Sequence, residues 1–186
     1  MRRFIIAIAT ALTLAACNAG SSAPTRADPE LDALFAQLEQ TEDAQQAAPI
    51  EQAIWARWAD SGSPTVNILL ERANAAESAG DAELAERFLD QASDLAPDYA
   101  ETWNRRANLY YSTDDYPGAI AAIQETLKRE PRHFGALAGL GLIYEELGQQ
   151  RAALEAFRAA LVIHPHYEVA IQGVRRLEPR VDGRDA

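Results

Sequence analysis

AETWNRRANLYYSTDDYPGAIAAIQETLKREPRH, residues 100–133, and FGALAGLGLIYEELGQQRAALEAFRAALVIHPHY, residues 134–167, are two copies of one pattern. Their prolines, Pro131 and Pro165, stand 34 residues apart, and Pro97 stands 34 residues before the first. Registering the chain on these prolines gives blocks 66–99, 100–133 and 134–167. Position 4 then holds Leu69, Trp103 and Leu137, and position 8 holds Ala73, Ala107 and Gly141. Position 11 holds Ala76, Tyr110 and Tyr144, and position 20 holds Ala85, Ala119 and Ala153. Position 24 carries Leu89, Ile123 and Phe157, and position 27 carries Ala92, Thr126 and Ala160.

Positions 4, 8 and 11 share one face of a helix, and positions 20, 24 and 27 share one face of a second. Each block is therefore predicted to be a helical hairpin. Small residues at 8 and 20 let the two backbones approach, and the larger ones fill the space around that contact. Turns are predicted at Ala79-Gly80-Asp81, Thr113-Asp114-Asp115 and Leu147-Gly148-Gln149, where breakers interrupt the apolar pattern.

This spacing resembles the tetratricopeptide repeat, whose pattern is W-x₂-L-G-x₂-Y, then alanine, a large apolar residue, alanine and proline. Arg72 and Arg106 depart from it at position 7, where only Leu140 keeps the leucine. The fold class expected is all-α, a helical-hairpin solenoid of three repeats. Residues 29–65 read as a degenerate leading hairpin, with one helix from Pro29 to Thr41 and another starting at Pro49 and carrying Ile50, Ile54, Trp55 and Trp58. That hairpin is expected to cap the first repeat. Residues 168–178 read as a C-terminal capping helix stopped by Pro179, with a tail over 179–186.

Ahead of the repeats, Arg2 and Arg3 precede the apolar run Phe4 to Ala16, 13 residues long, against the roughly 20 a membrane-spanning helix needs. Residues 1–16 thus read as a signal peptide. The run ends Leu14-Ala15-Ala16-Cys17, which resembles the lipobox of bacterial lipoproteins, and Cys17 is the chain's only cysteine. The resemblance implies lipid attachment at Cys17 and a mature chain starting there, with residues 17–28 as a flexible tether. It further implies an exported protein anchored on the periplasmic face of the envelope. Asn18 in place of an aspartate favours the outer over the inner membrane.

The charge is -11, from 17 Lys and Arg against 28 Asp and Glu, which disfavours nucleic acid as a partner. No catalytic signature emerges: there is no G-x-S-x-G, no glycine-rich phosphate loop and no H-E-x-x-H. His133, His164 and His166 are expected as surface or turn residues, and neither a metal nor a cofactor is expected. Their convergence on a carboxylate would instead favour an envelope enzyme accessory. A self-associating structural spacer is a further alternative.

What remains is the concave face. In tetratricopeptide arrays it is lined by positions 2, 5, 9 and 12 of the first helices, which here are Asn67, Leu70, Asn74 and Glu77, then Glu101, Asn104, Asn108 and Tyr111, then Gly135, Ala138, Leu142 and Glu145. Asparagines suit the amides of an extended peptide because each offers donor and acceptor. The small third block suggests a shallow apolar trough. Three glutamates, Glu77, Glu101 and Glu145, suggest an acidic rim suited to a basic or neutral ligand. Gly135 and Gly139 occupy the places where the family's carboxylate clamp has cations, so that mode is not expected. The expected role is a non-catalytic adaptor or assembly scaffold holding a protein or peptide partner at the membrane.

Overall fold

The computed structural model describes residues 28–181 and 183. The signal peptide, Cys17 and the tether as far as residue 27 lie outside the described residues. The elements are helices α1 (Pro29–Leu38), α2 (Ala44–Ala59), α3 (Pro64–Ser78), α4 (Ala82–Leu95), α5 (Ala100–Ser112), α6 (Tyr116–Arg129), α7 (Phe134–Glu146), α8 (Gln150–Ile163) and α9 (Glu168–Val181), with no strand among the described residues. Pairs α3–α4, α5–α6 and α7–α8 are the three repeats, and α9 covers α8.

Local chemistry sets the boundaries. The first helix of each repeat ends in a left-handed residue at position 15: Gly80 (φ 79°), Asp114 (φ 61°) and Gly148 (φ 70°). In each turn the next N–H reaches back to the last helical turn, from Asp81, Asp115 and Gln149 to the carbonyls of Ala76, Tyr110 and Tyr144 at 2.8–2.9 Å, a Schellman closure. Asp81 and Asp115 then turn their carboxylates onto the N–H groups of Leu84 and Gly118 at 3.0 Å, capping α4 and α6.

Four boundaries differ from the sequence expectation. Helix α1 stops at Leu38, short of Thr41, where the Thr41 N–H and hydroxyl both donate to the Leu38 carbonyl, at 3.2 and 2.7 Å. Helix α2 starts at Ala44, before Pro49, because Asp43 accepts the Gln46 N–H at 2.9 Å while the Gln46 side chain accepts the Glu42 N–H at 3.2 Å. This reciprocal cap carries the helix past the proline. Helix α9 runs through Pro179 to Val181. At the other end, Asp28 belongs to the fold, since it caps α1 through the Leu31 N–H and pairs with Arg57 at 2.8 Å.

The leading hairpin is displaced from the place expected for it. Helix α2 is not stacked on α3–α4 as one repeat is on the next. It runs along the row of turns that join the repeats, meeting the ring at position 34 of the first two blocks. The Tyr99 hydroxyl donates to the Trp58 carbonyl at 2.5 Å. His133 stacks on Trp58 at 4.1 Å and 7°, and beyond it Tyr167 packs on Phe134, which also meets Trp55. Arg132 clamps α1 to the same edge through Asp32 at 2.8 Å and the Phe35 ring at 4.4 Å. The hairpin thus shares one core with α7, α8 and α9, including Leu38, Ile54, Phe134, Phe157 and Leu177.

Candidate functional site

Between α2 and the first helices of the second and third repeats lies a two-part cleft. Its polar half, about 390 Å³, is lined by Trp55, Glu101, Asn104, Arg105, Asn108, Gly135 and Tyr167. Its apolar half, about 230 Å³, shares Asn104, Asn108 and Gly135 and adds Ala107, Tyr111, Ile123, Ala136, Gly139, Leu142 and Ile143. The trough is apolar because helix α7 presents glycine or small side chains on this side: a Cβ on Gly139 would have only the Ile123 methyl within reach, at 3.8 Å.

Trp55 closes one end. A Cβ on Gly135 would lie 2.4 Å from the edge of its indole, so the glycine is what admits the ring. The indole is aimed by Glu51, which accepts the Trp55 Nε1–H at 3.2 Å with one oxygen and faces His164 Nε2 at 3.0 Å with the other. His164 is fully buried, and its Nδ1 accepts the His166 N–H at 3.3 Å, which leaves the proton on Nε2 pointing at Glu51. Burial holds the His164 imidazole below its ordinary pKa, against the opposing pull of Glu51.

The same logic repeats at the floor. His133, also fully buried, caps α7 by accepting the Ala136 N–H on Nδ1 at 3.0 Å and turns Nε2 toward Glu101 at 3.5 Å. Glu101 receives Arg105 Nε at 2.8 Å and Asn104 Nδ2 at 3.0 Å. Burial pushes the Glu101 carboxyl up, but His133, Arg105 and Asn104 together pull it below its ordinary range. Glu101 is therefore an ionised, internally satisfied group.

Of the residues assigned to the concave face, Glu101, Asn104, Asn108, Tyr111, Gly135 and Leu142 line the cleft. Asn108 is exposed and its amide makes no hydrogen bond among the described residues, whereas Asn104 is buried against Glu101. Others serve elsewhere. Asn67 ties the loop before α3, accepting from the Ser61 hydroxyl at 2.6 Å and donating to Asp60 at 3.2 Å. Asn74 accepts from Arg105 Nη1 at 2.6 Å. Ala138 lies in the core that α7 shares with the hairpin and α9. Glu145 pairs with Arg176 of α9 at 2.6 Å.

The acidic rim is thereby largely cancelled: Glu101 has Arg105 and Glu145 has Arg176, leaving Glu77 as the one of the three without a cationic partner among the described residues. Neither are His133 and His164 surface residues. They form two separate pairs, His133 with the buried Glu101 and His164 with the partly exposed Glu51, and no group of three or more His, Cys, Asp or Glu among the described residues is placed to hold a metal ion. Arg105, Ala136 and Ile143 on the first helices were not assigned to the concave face, and Trp55 and Tyr167 are the cleft residues from outside those helices that the repeat pattern missed. The available signal was the ring at position 34 of every block, Tyr99, His133 and Tyr167, facing a hairpin with two tryptophans.

The tetratricopeptide-repeat family model matches residues 70–128 and 104–168. A TPR repeat-containing protein of Rhizobium etli is 39% identical over 166 residues, 89% of this chain and 79% of that protein. Among solved structures, the Sgt2 TPR domain from Aspergillus fumigatus matches with a TM-score of 0.60 at 18% identity, covering 66% of this chain and 83% of that one. The first TPR of Spaghetti (RPAP3), bound to the HSP90 peptide SRMEEVD, matches with a TM-score of 0.60 at 17% identity, covering 64% of this chain and 95% of that one. These two likenesses are of fold. The chain belongs to the tetratricopeptide-repeat family.

Proposed function

We propose that this protein is a non-catalytic adaptor that holds an extended, uncharged segment of a partner protein in the cleft between α2, α5 and α7. The observation that carries the reading is the pairing of an open apolar trough with the unengaged amide of Asn108 at its edge. An aliphatic or aromatic side chain enters the trough beside Tyr111 and Leu142, and Asn108 exchanges hydrogen bonds with the segment's backbone. That a solved relative by fold, the first TPR of Spaghetti, is bound to a peptide supports a peptide as the kind of ligand. Because Glu101 and Arg105 neutralise each other, the cleft favours a neutral segment over a basic one. With Trp55 closing one end, the bound segment must turn out of the cleft or terminate there.

The lipobox-like Leu14-Ala15-Ala16-Cys17 supports the companion proposal that the chain is exported and lipid-anchored through Cys17 to the periplasmic face of the envelope, on the outer membrane. Anchoring keeps the cleft in a thin layer near the membrane and raises the effective concentration of any partner there. Two experiments test the reading. Replacing Cys17 by alanine should move the protein from membrane to soluble fractions, and unchanged fractionation would remove the anchor. The pair Asn108→Ala with Leu142→Asp, the first exposed and the second partly buried at the edge of the core, should lose partner capture while helical circular dichroism is kept; equal recovery of partners would count against the cleft.

A further inference from the structure

The stacking of the repeats leaves one face without its usual neighbour. Positions 3, 7 and 10 of a first helix receive the second helix of the preceding repeat. On α5 these are Thr102, Arg106 and Leu109, of which Thr102 and Leu109 are buried, and Leu109 shares a cluster with Leu89 and Ala92 of α4. The same positions are buried or partly buried on α7 and on α9, which receive α6 and α8. On α3 they are Ile68, 49% exposed, with Arg72 and Ala75 both exposed, because the leading hairpin sits on the turn row instead.

The arginine at position 7 is informative. Arg106 reaches across the α4–α5 seam, giving Nη2 to Asp90 at 2.7 Å and to the Ser93 hydroxyl at 3.3 Å. Arg72 is at the same repeat position and has no carboxylate partner among the described residues, only the Phe88 ring at 5.9 Å. The face therefore keeps the apolar contact and the cation that elsewhere in this chain bind an acidic amphipathic helix. We propose that it docks such a helix from a partner protein, seated on α3 as α4 is seated on α5, with a carboxylate set against Arg72.

A second copy of this chain is a poor source. Its second-type helices α4, α6 and α8 are already covered by α5, α7 and α9. The exposed side of α9 carries Arg175, Arg176 and Arg180 against Glu168 and Glu178, and Glu178 is already held by Arg158. That balance offers Arg72 little attraction, whereas an Asp or Glu on the incoming helix completes the pair already present one repeat later.

The test uses the full chain and a fluorescent, lactam-stabilised peptide copying residues 82–95, read by anisotropy. Stabilisation is needed because a 14-residue helix is marginal alone. Saturable binding is expected, lost in Ile68→Asp and weakened about tenfold in Arg72→Glu; a peptide carrying Asp90→Arg should recover affinity for Arg72→Glu. Asn108→Ala should bind the peptide like the unsubstituted chain. No binding, binding indifferent to both α3 variants, failure of the charge exchange, or loss in Asn108→Ala would overturn the proposal. Sedimentation showing a dimer of the full chain that Ile68→Asp dissolves would assign the face to a second copy and overturn the commitment to a separate partner.

Discussion

Replacing Trp58 by alanine should detach the α1–α2 hairpin while leaving the repeats folded. Trp58 is 7% exposed and packs against four rings: His133 at 4.1 Å, Phe134 at 5.1 Å, Trp55 at 5.2 Å and Phe35 at 6.0 Å. Truncating a buried tryptophan costs about 3–5 kcal/mol, and each ring pair adds about 0.5–1.5 kcal/mol beyond area alone. Helices of 10 and 16 residues do not persist without a surface to pack on, so a loss of this size falls on the hairpin's docking first. Hydrogen exchange followed by mass spectrometry should show residues 29–59 losing protection while α5 to α8 retain most of theirs. Trp58→Phe is the control. It keeps a ring on His133 and removes the indole N–H, which is buried without a partner; an orphan donor costs about 1–3 kcal/mol, so the variant should stay within about 1 kcal/mol of the parent. An even loss of protection across the chain in Trp58→Ala, or a hairpin that stays protected, would refute the account of how it is held.

Phe157 sits between two glycines on different helices, its ring 2.4–2.8 Å from where a Cβ would lie on Gly141 of α7 and on Gly173 of α9. Gly141→Ala should therefore destabilise by about 1–2 kcal/mol in urea titration despite the better helix propensity of alanine, and Phe157→Leu should offset part of that loss. Asp114 occupies the left-handed position that glycine holds in the other two repeats, so Asp114→Gly should raise stability by about 0.5–1 kcal/mol, seen as a higher melting temperature. Acid should weaken the fold in two steps. His164 is held below its free value of 6.5, so its contribution is complete above that pH and is lost as pH falls through the folded value. Glu101 is held below 4.5 and its contribution is lost only below that. His164→Gln should flatten the first step in a pH series of thermal melts and leave the second.

The repeats were legible because a 34-residue period places every inter-helix contact at a fixed offset, and the left-handed turns carry glycine or aspartate at one position. The hairpin was not legible in the same way. Its partners are remote in sequence, Glu51 with His164 and Thr41 with His166, and no periodicity reports a helix that crosses the repeats instead of joining them. The start of α2 was hidden by Pro49, although Asp43 and Gln46 carried the stronger signal. At the site, helical phase placed Asn104, Asn108, Tyr111 and Leu142 on one side, and all four line the apolar half of the cleft. Phase alone could not show that Asn74 and Glu145 would be engaged by arginines from neighbouring helices, since Arg105 and Arg176 reach them across the stack, whereas the Glu101–Arg105 pair is an i,i+4 contact within α5.

The central claim is that the cleft holds a partner. A photoreactive residue at Tyr111, activated in living cells, tests it most directly, with Ala121 on the exposed side of α6 as the control site and crosslinked proteins identified by mass spectrometry. The account predicts one dominant protein crosslinked from Tyr111 and absent from Ala121, reduced when Leu142→Asp fills the trough with charge. Identical crosslinks from both sites, or none from Tyr111, would contradict it.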